Sequence, residues 1–276
     1  MKIDTLIFAG ASSKAIGYIG SLYAINNCKL INLKNIKNII GCSSGAIFGF
    51  FLLLNFNTTM MYKLLQKIDI IDLKNFNSDE LFINNGILNN NNIKKFLKTC
   101  IKNKYNLNDI SFLELYKKTN INFIVKVYNL SLQKTEYFSY KNQQNMSVLD
   151  AIQISTCIPI IFKPIKYNGN YYIDGGIHNN IPFLKNKEYK NYLLIYIAPI
   201  NKNLNNPIKN YDNIDFIDYI ALIFNIVTTN HKKKNKRHIR LIININMTTF
   251  DIKSILDQIV LDSYNQTIKH IKNYKL

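Results

Sequence analysis

Gly41-Cys42-Ser43-Ser44-Gly45 is the stretch on which the fold turns. Residues 35–40 before it read as a short apolar strand, and residues 46–56 after it as a strongly apolar helix. A G-x-S-x-G run between strand and helix is the setting a nucleophile elbow requires. Gly41 and Gly45 leave room for a cramped turn. That turn pushes the Ser43 hydroxyl out at the helix N-terminus, where backbone N–H groups and the helix dipole favour negative charge. An inert turn could carry the same five residues, but the flanks argue against coincidence.

Working outward, residues 3–8 form a second buried strand that ends at Gly10 and a run of small residues. Ile16, Ile19, Leu22 and Tyr23 then recur at helical spacing, so strand, loop and helix occur twice in succession. Helices are expected near residues 58–67 and 90–102. Ser111 caps a further helix over 112–117, with Glu114 placed for a capping box. Residues 122–130 alternate apolar positions at Phe123, Val125 and Val127, and residues 134–140 supply a hairpin partner across a short turn. Ser147 caps a helix to about Cys157, and Pro159 stops it. Residues 171–173 form a short strand running into the turn Asp174-Gly175-Gly176. A strand over 193–197, a helix over 214–229, a strand over 239–245 and a terminal helix over 252–271 complete the order. Alternating strands and helices predict an α/β fold with a central, mainly parallel sheet flanked by helices. No linker or internal repeat divides residues 1–276, so a single domain is expected.

The 276 residues are 47% hydrophobic, enough for one sizeable core. Lys, Asn and Ile recur throughout, as in the tract Asn89 to Asn92. Such usage fits an AT-rich genome, whether of a large DNA virus, a parasite or another microbe, and lowers the information in polar tracts. The formal charge of +18 creates a positive field that phospholipid head groups, nucleic acid or mere solubility would each explain. Cys28, Cys42, Cys100 and Cys157 form no C-x-x-C pair and have no His at metal-ligand spacing, which argues against a zinc site or disulfide framework. The N-terminus lacks a signal-peptide core, and no apolar run approaches the roughly 20 residues that span a bilayer. An intracellular chain, cytoplasmic or peripheral to a membrane, is the expectation.

A nucleophilic serine needs a base. Ordinary α/β-hydrolases place several strands before the elbow, and only about forty residues precede Ser43, so their Ser-Asp-His architecture does not fit. The four histidines are His178, His231, His238 and His270. His178 follows Asp174 closely but reads better as a polar loop residue than as a triad member.

At this point the chain resembles the patatin-like phospholipase family along nearly its whole length. Ser43 in Gly-Cys-Ser-Ser-Gly matches the family's elbow, and Asp174 in Asp-Gly-Gly matches its second motif. Residues 148–164 (Val-Leu-Asp-Ala-Ile-Gln-Ile-Ser-Thr-Cys-Ile-Pro-Ile-Ile-Phe-Lys-Pro) are similar to the helix and Pro-rich turn before that Asp. Asn179, Pro182, Gly86-Ile87-Leu88 and residues 112–119 with their hairpin match as well. The resemblance implies a patatin-like domain and a catalytic dyad, Ser43 as nucleophile and Asp174 as base, acting through an acyl-enzyme. It implies a phospholipid or other acyl-lipid substrate, and neither metal nor cofactor.

The family's first loop is typically Gly-Gly-Gly-x-Lys/Arg-Gly, whereas this chain has Gly10-Ala11-Ser12-Ser13-Lys14-Ala15. By resemblance Gly10, Ala11 and Ser12 supply the oxyanion hole. A left-handed residue other than Gly costs roughly 1 to 2 kcal/mol, whereas deleting an oxyanion donor costs roughly 2.7 to 4 kcal/mol. The substitutions therefore read as strain rather than loss. The competing reading is a catalytically silent patatin-fold protein that binds lipid or membrane. Lys14 is placed to meet a lipid phosphate, to orient the loop, or simply to be solvated. The block from His231 to Arg240, with Lys232, Lys233 and Lys234, is either a solvated loop or a contact to an anionic membrane. No nucleic-acid module accompanies it. Oligomeric state is not legible. Replacing Ala11 or Ser12 by Gly is expected to retain ester hydrolysis, and abolition by either change refutes this reading of the loop.

Overall fold

A computed structural model describes residues 3–66, 86–88, 90–182, 189, 191–199, 220, 223, 239–245 and 255–273. Strand β1 (Thr5–Phe8) leads through a 3-10 turn (Ser12–Ile16) into α1 (Gly17–Asn27). Strand β2 (Asn38–Cys42) then passes through Ser43 into α2 (Ser44–Leu53), followed by α3 (Thr58–Leu65). β3 (Gly86–Leu88), α4 (Asn91–Tyr105), α5 (Phe112–Thr119), β4 (Asn122–Asn129) and β5 (Lys134–Phe138) come next. α6 (Val148–Ser155) precedes β6 (Ile160–Phe162), β7 (Ile165–Tyr167) and β8 (Asn170–Asp174). β9 (Tyr192–Pro199), β10 (Ile239–Ile245) and α7 (Leu256–Asn273) close the order.

The main sheet runs β10-β9-β1-β2-β4-β8-β7, with β5 also on β4. Pairs from β10 through β4 are parallel, and β5, β7 and β8 attach antiparallel. The expected central parallel sheet is therefore present, with an antiparallel edge. Period-two alternation divides its two faces. Phe8, Ile39, Phe123, Val125, Leu193 and Ile195 enter the larger core, while Ile7, Ile40, Ile124, Leu194 and Tyr196 pack on the other side.

The register around β4 brings together residues far apart in sequence. β2 pairs with β4 up to Cys42 opposite Lys126, and β8, running the other way, ends with Asp174 opposite Val127. β5 bonds residues 125–129 of the same strand and so overlaps both partners in register. It occupies the opposite edge, and β2 and β8 must share the remaining one. Their ends therefore meet at adjacent positions of β4.

Several local boundaries moved for identifiable reasons. Helix α2 starts at Ser44, two residues earlier than expected, because the elbow delivers the chain directly into helical geometry. It is apolar all round and buried on nearly every side, as a helix packed inside a domain must be. Residues 33–35 form a 3-10 turn capped by the Asn32 side chain, so the strand expected from residue 35 begins only at Asn38. The Ser111–Glu114 capping box is present as expected. Two short strands, β6 and β7, follow Pro159 and were not anticipated; three-residue strands leave too little periodicity to read. Apart from residues 220 and 223, the helix expected over 214–229 lies outside the described residues. So do residues 252–254 of the terminal helix.

Candidate active site

Ser43 sits between β2 and α2 with φ 52° and ψ −130°, a conformation a residue with a side chain adopts only when its surroundings impose it. The surroundings do so through close packing. A Cβ on Gly45 would lie 2.4 Å from the Ala9 carbonyl oxygen, and one on Gly41 2.4 Å from Ala46 Cα. These glycines are needed because backbones touch. The Ser43 N–H donates to Ser155 Oγ at 2.8 Å, and Ser155 Oγ donates to the Lys126 carbonyl at 2.7 Å, so α6 and β4 pin the elbow together.

Ser43 Oγ donates to Asp174 Oδ2 at 2.5 Å across 131 residues of sequence. Asp174 Oδ1 accepts from the Gly176 N–H at 2.6 Å, and the Asp174 N–H donates to the Cys157 carbonyl at 2.8 Å. Gly175 presses against β4 so closely that a Cβ there would stand 2.2 Å from the Lys126 carbonyl oxygen. The carboxylate is fully buried and Ser43 is 6% exposed. Burial pushes the Asp174 carboxyl up to about 7, while the Ser43 hydroxyl, the Gly176 N–H and the Lys126 ammonium draw it back. A carboxyl group in that range suits a base working near neutrality.

Lys126 is the charged residue that sequence reading passed over. It lies on β4, 2% exposed, and donates from Nζ to the Asn179 carbonyl. Burial lowers its ammonium, with Cys42 and Asp174 acting in the opposite direction. Position 126 falls on the polar side of the alternation at Phe123, Val125 and Val127, so the available signal was only the apolar Ile124 on that same side.

The patatin-like phospholipase family model matches residues 6–185, which hold Ser43, Asp174, most of β1 and every strand from β2 to β8. The chain belongs to the patatin-like phospholipase family. Among curated proteins, "Probable lipid hydrolase 463L" of Invertebrate iridescent virus 6 is 35% identical over 183 residues, 64% of this chain and 61% of that protein. "Uncharacterized protein R571" of Acanthamoeba polyphaga mimivirus is 27% identical over 80% of this chain and 74% of its own length. The chain thus spans less than two thirds of the iridescent-virus relative. In the fold alone it is similar to VipD from Legionella pneumophila, with TM-score 0.63 and 16% identity over 99% of this chain and 67% of that one. It is likewise similar to ExoU in its complex with SpcU from Pseudomonas aeruginosa, with TM-score 0.54 and 13% identity over 98% and 51%.

The altered first loop of this patatin-like chain is placed beside the dyad. Ser12 takes the left-handed conformation, φ 51°, whereas Ala11 is at φ −141°. The Gly10 N–H donates to the Asn180 carbonyl at 2.9 Å and the Ala11 N–H to Ser44 Oγ at 3.1 Å. Both donors would have to exchange these partners to meet an oxyanion. Asn180 and Ser44 therefore join Ser155 and Lys126 as residues that shape the site. Lys14 is buried, 3% exposed, and burial lowers its ammonium to about 8. It is enclosed in the loop rather than held out to a head group. His178 is exposed, and burial pushes the Cys42 thiol up to about 12, as befits a packing residue. Lys232, Lys233 and Lys234 lie outside the described residues. Among the described residues, no group of three or more His, Cys, Asp or Glu is placed to hold a metal ion, and no helix is long and apolar enough to cross a membrane.

Because the Asp174 carboxyl titrates near 7 when folded against an ordinary 3.8, the folded state holds its proton more tightly. Ionisation therefore opposes folding, and the penalty grows as pH rises from about 4 to about 7. Asp174→Asn is expected to be more stable than wild type at pH 8, by on the order of a few kcal/mol at most. The advantage should shrink toward pH 4. Urea unfolding at the two pH values measures this, and a difference independent of pH refutes the assignment.

Proposed function

We propose that this chain is a lipid acyl hydrolase of phospholipase A or lysophospholipase type, working through Ser43 and Asp174 without metal or cofactor. The observation carrying the reading is the 2.5 Å contact between Ser43 Oγ and Asp174 Oδ2 inside a strained elbow. Asp174 takes the Ser43 proton as Oγ attacks the ester carbonyl carbon. The tetrahedral intermediate collapses, the alcohol leaves with the proton from Asp174, and the acyl group stays on Ser43. Water then attacks the acyl-enzyme, giving its proton to Asp174, and the fatty acid departs as Ser43 regains a proton. Gly10, Ala11 and Ser12 are the proposed oxyanion donors. Gly175 and Gly176 bring Asp174 against β4, as Gly41 and Gly45 seat Ser43.

The name of the iridescent-virus relative, a probable lipid hydrolase, supports an acyl-lipid substrate. We read residues 1–276 as one domain, since β9 and β10 extend the sheet from β1 and α7 packs on α1 through the Thr267–Ser21 hydroxyl pair. An intracellular location, with peripheral contact to anionic membrane, accompanies this reading.

A second reading, a silent patatin-fold protein that binds lipid, draws on the engaged Gly10 and Ala11 N–H groups and the small exposure of Ser43. Labelling with a fluorophosphonate separates the two. Wild type is expected to label, with Ser43→Ala unlabelled and Asp174→Asn slowed at least a hundredfold. Absence of labelling in wild type favours the silent protein, and equal labelling of all three defeats the dyad.

The base form of Asp174 is populated above its titration point, so kcat/KM is expected to rise with pH and level off above about 7. Below that point the fall is about tenfold per pH unit. Removing the neighbouring cation in Lys126→Met should move this acid limb to higher pH, while Lys126→Arg leaves it closer to wild type. An unmoved limb in Lys126→Met would mean that the ammonium does not act on Asp174.

A further inference from the structure

β1, β2 and β4 are parallel, so β4 runs toward the end of the sheet at which Ser43 emerges. β4 continues past Lys126, the partner of Cys42, and turns at residues 130–133. At about 3.3 Å per residue, that turn stands on the order of 13 Å beyond the dyad. The β7–β8 turn reaches the same level, because the Leu130 N–H donates to the Tyr171 carbonyl at 2.8 Å. Two hairpin tips thus project together past the reactive end.

Their side chains are the reverse of what solvated turns require. Leu130 is 42% exposed, Leu132 54% and Tyr171 47%. The framework holds them outward. The Leu132 N–H donates to Asn129 Oδ1 at 2.9 Å and the Tyr171 N–H to Ser131 Oγ at 2.9 Å, and Asn129 itself is buried and bonded to Glu136 and Tyr172. Little ordering cost would remain on binding. The charge is mainly basic: residues 130–134 and 163–171 include Lys134, Lys163 and Lys166 and no Asp or Glu, and the nearby Glu136 on β5 pairs with the more exposed Lys134 at 3.3 Å. Lys166 Nζ stands 5.7 Å from the Tyr171 ring centroid. An apolar tip with lysines on the same hairpins complements a surface that is anionic outside and apolar beneath.

We propose that the paired tips, Leu130, Leu132 and Tyr171 with Lys134 and Lys166, are a membrane-docking surface that inserts into an anionic phospholipid bilayer. The proposal rests on the acyl-lipid reading above, since a substrate in that bilayer would then lie at the dyad's end of the sheet. It does not draw on the basic block of the sequence at residues 231–240.

The chain contains no Trp, so one introduced residue reports unambiguously. Leu132→Trp and Leu33→Trp are each made in a Ser43→Ala background. Leu33 is 49% exposed and precedes β2, at the opposite end of the sheet from Ser43. With vesicles of equimolar phosphatidylcholine and phosphatidylglycerol, the emission of Leu132→Trp is expected to shift to the blue and that of Leu33→Trp to stay unchanged. The Leu132→Trp shift should weaken as salt increases. In a chain retaining Ser43, Leu130→Ser/Leu132→Ser should bind those vesicles at least tenfold more weakly while hydrolysing a soluble short-chain ester at the wild-type rate. No shift at position 132, equal shifts at both positions, or a concentration-dependent shift without vesicles, which would indicate a second copy of the chain, each overturns the proposal. A shift confined to position 132 supports docking even if wild type releases no fatty acid; that second result would remove the hydrolase reading alone.

Discussion

The contact between Ser43 and Asp174 is almost withdrawn from solvent, with the carboxyl fully buried and the serine only slightly exposed. In water a carboxylate is too weakly basic to draw a proton from a serine hydroxyl. Enclosed at the end of β8, the Asp174 carboxyl moves up to about 7. Its neighbours set how far. The Ser43 hydroxyl and the Gly176 N–H stabilise the ionised form directly, and Lys126 does so through its charge. The same lysine also donates to the Asn179 carbonyl on the loop that follows Asp174. Electrostatics and loop position at this site therefore share a residue.

Much of this was legible in the sequence, for physical reasons. The elbow could be read because strand, small residues and apolar helix succeed one another without interruption around Ser43. The hairpin of β4 and β5 showed in the alternation at Phe123, Val125 and Val127. Asp174 was less visible, since Asp-Gly-Gly is ordinary turn chemistry, and its assignment leaned on the family-like stretch from Val148 to Pro164. The sequence withheld what depends on approach in three dimensions. Nothing local marks Ser155 as the acceptor for the Ser43 N–H, or Asn180 as the acceptor for Gly10. Lys126 left little trace, because it falls between Val125 and Val127 on the side that the alternation leaves to polar residues, and only the fold buries it.

The first loop illustrates the difference between composition and geometry. Of the residues replacing family glycines, Ser12 takes the left-handed conformation, while Ala11 has a negative φ that ordinary residues tolerate. Strain is thus localised at one position. The neighbouring donors are occupied within the fold, Gly10 by Asn180 and Ala11 by Ser44. Hydrogen bonds of this kind can hold a loop in shape until a stronger acceptor competes for the same N–H groups.

The sharing of one β4 edge by β2 and β8 has a consequence for what the rest of the chain must hold constant. Cys42, next to Ser43, and Asp174 are registered against Lys126 and Val127, two adjacent residues, whatever the length of chain between them. The stretch between α2 and β4 can therefore differ in length without shifting that alignment, whereas the stretch between β5 and β8 carries Ser155 and Cys157, which hold Ser43 and Asp174 directly. A scaffold of this kind sets the meeting of two distant residues by local strand pairing rather than by the length of the connections.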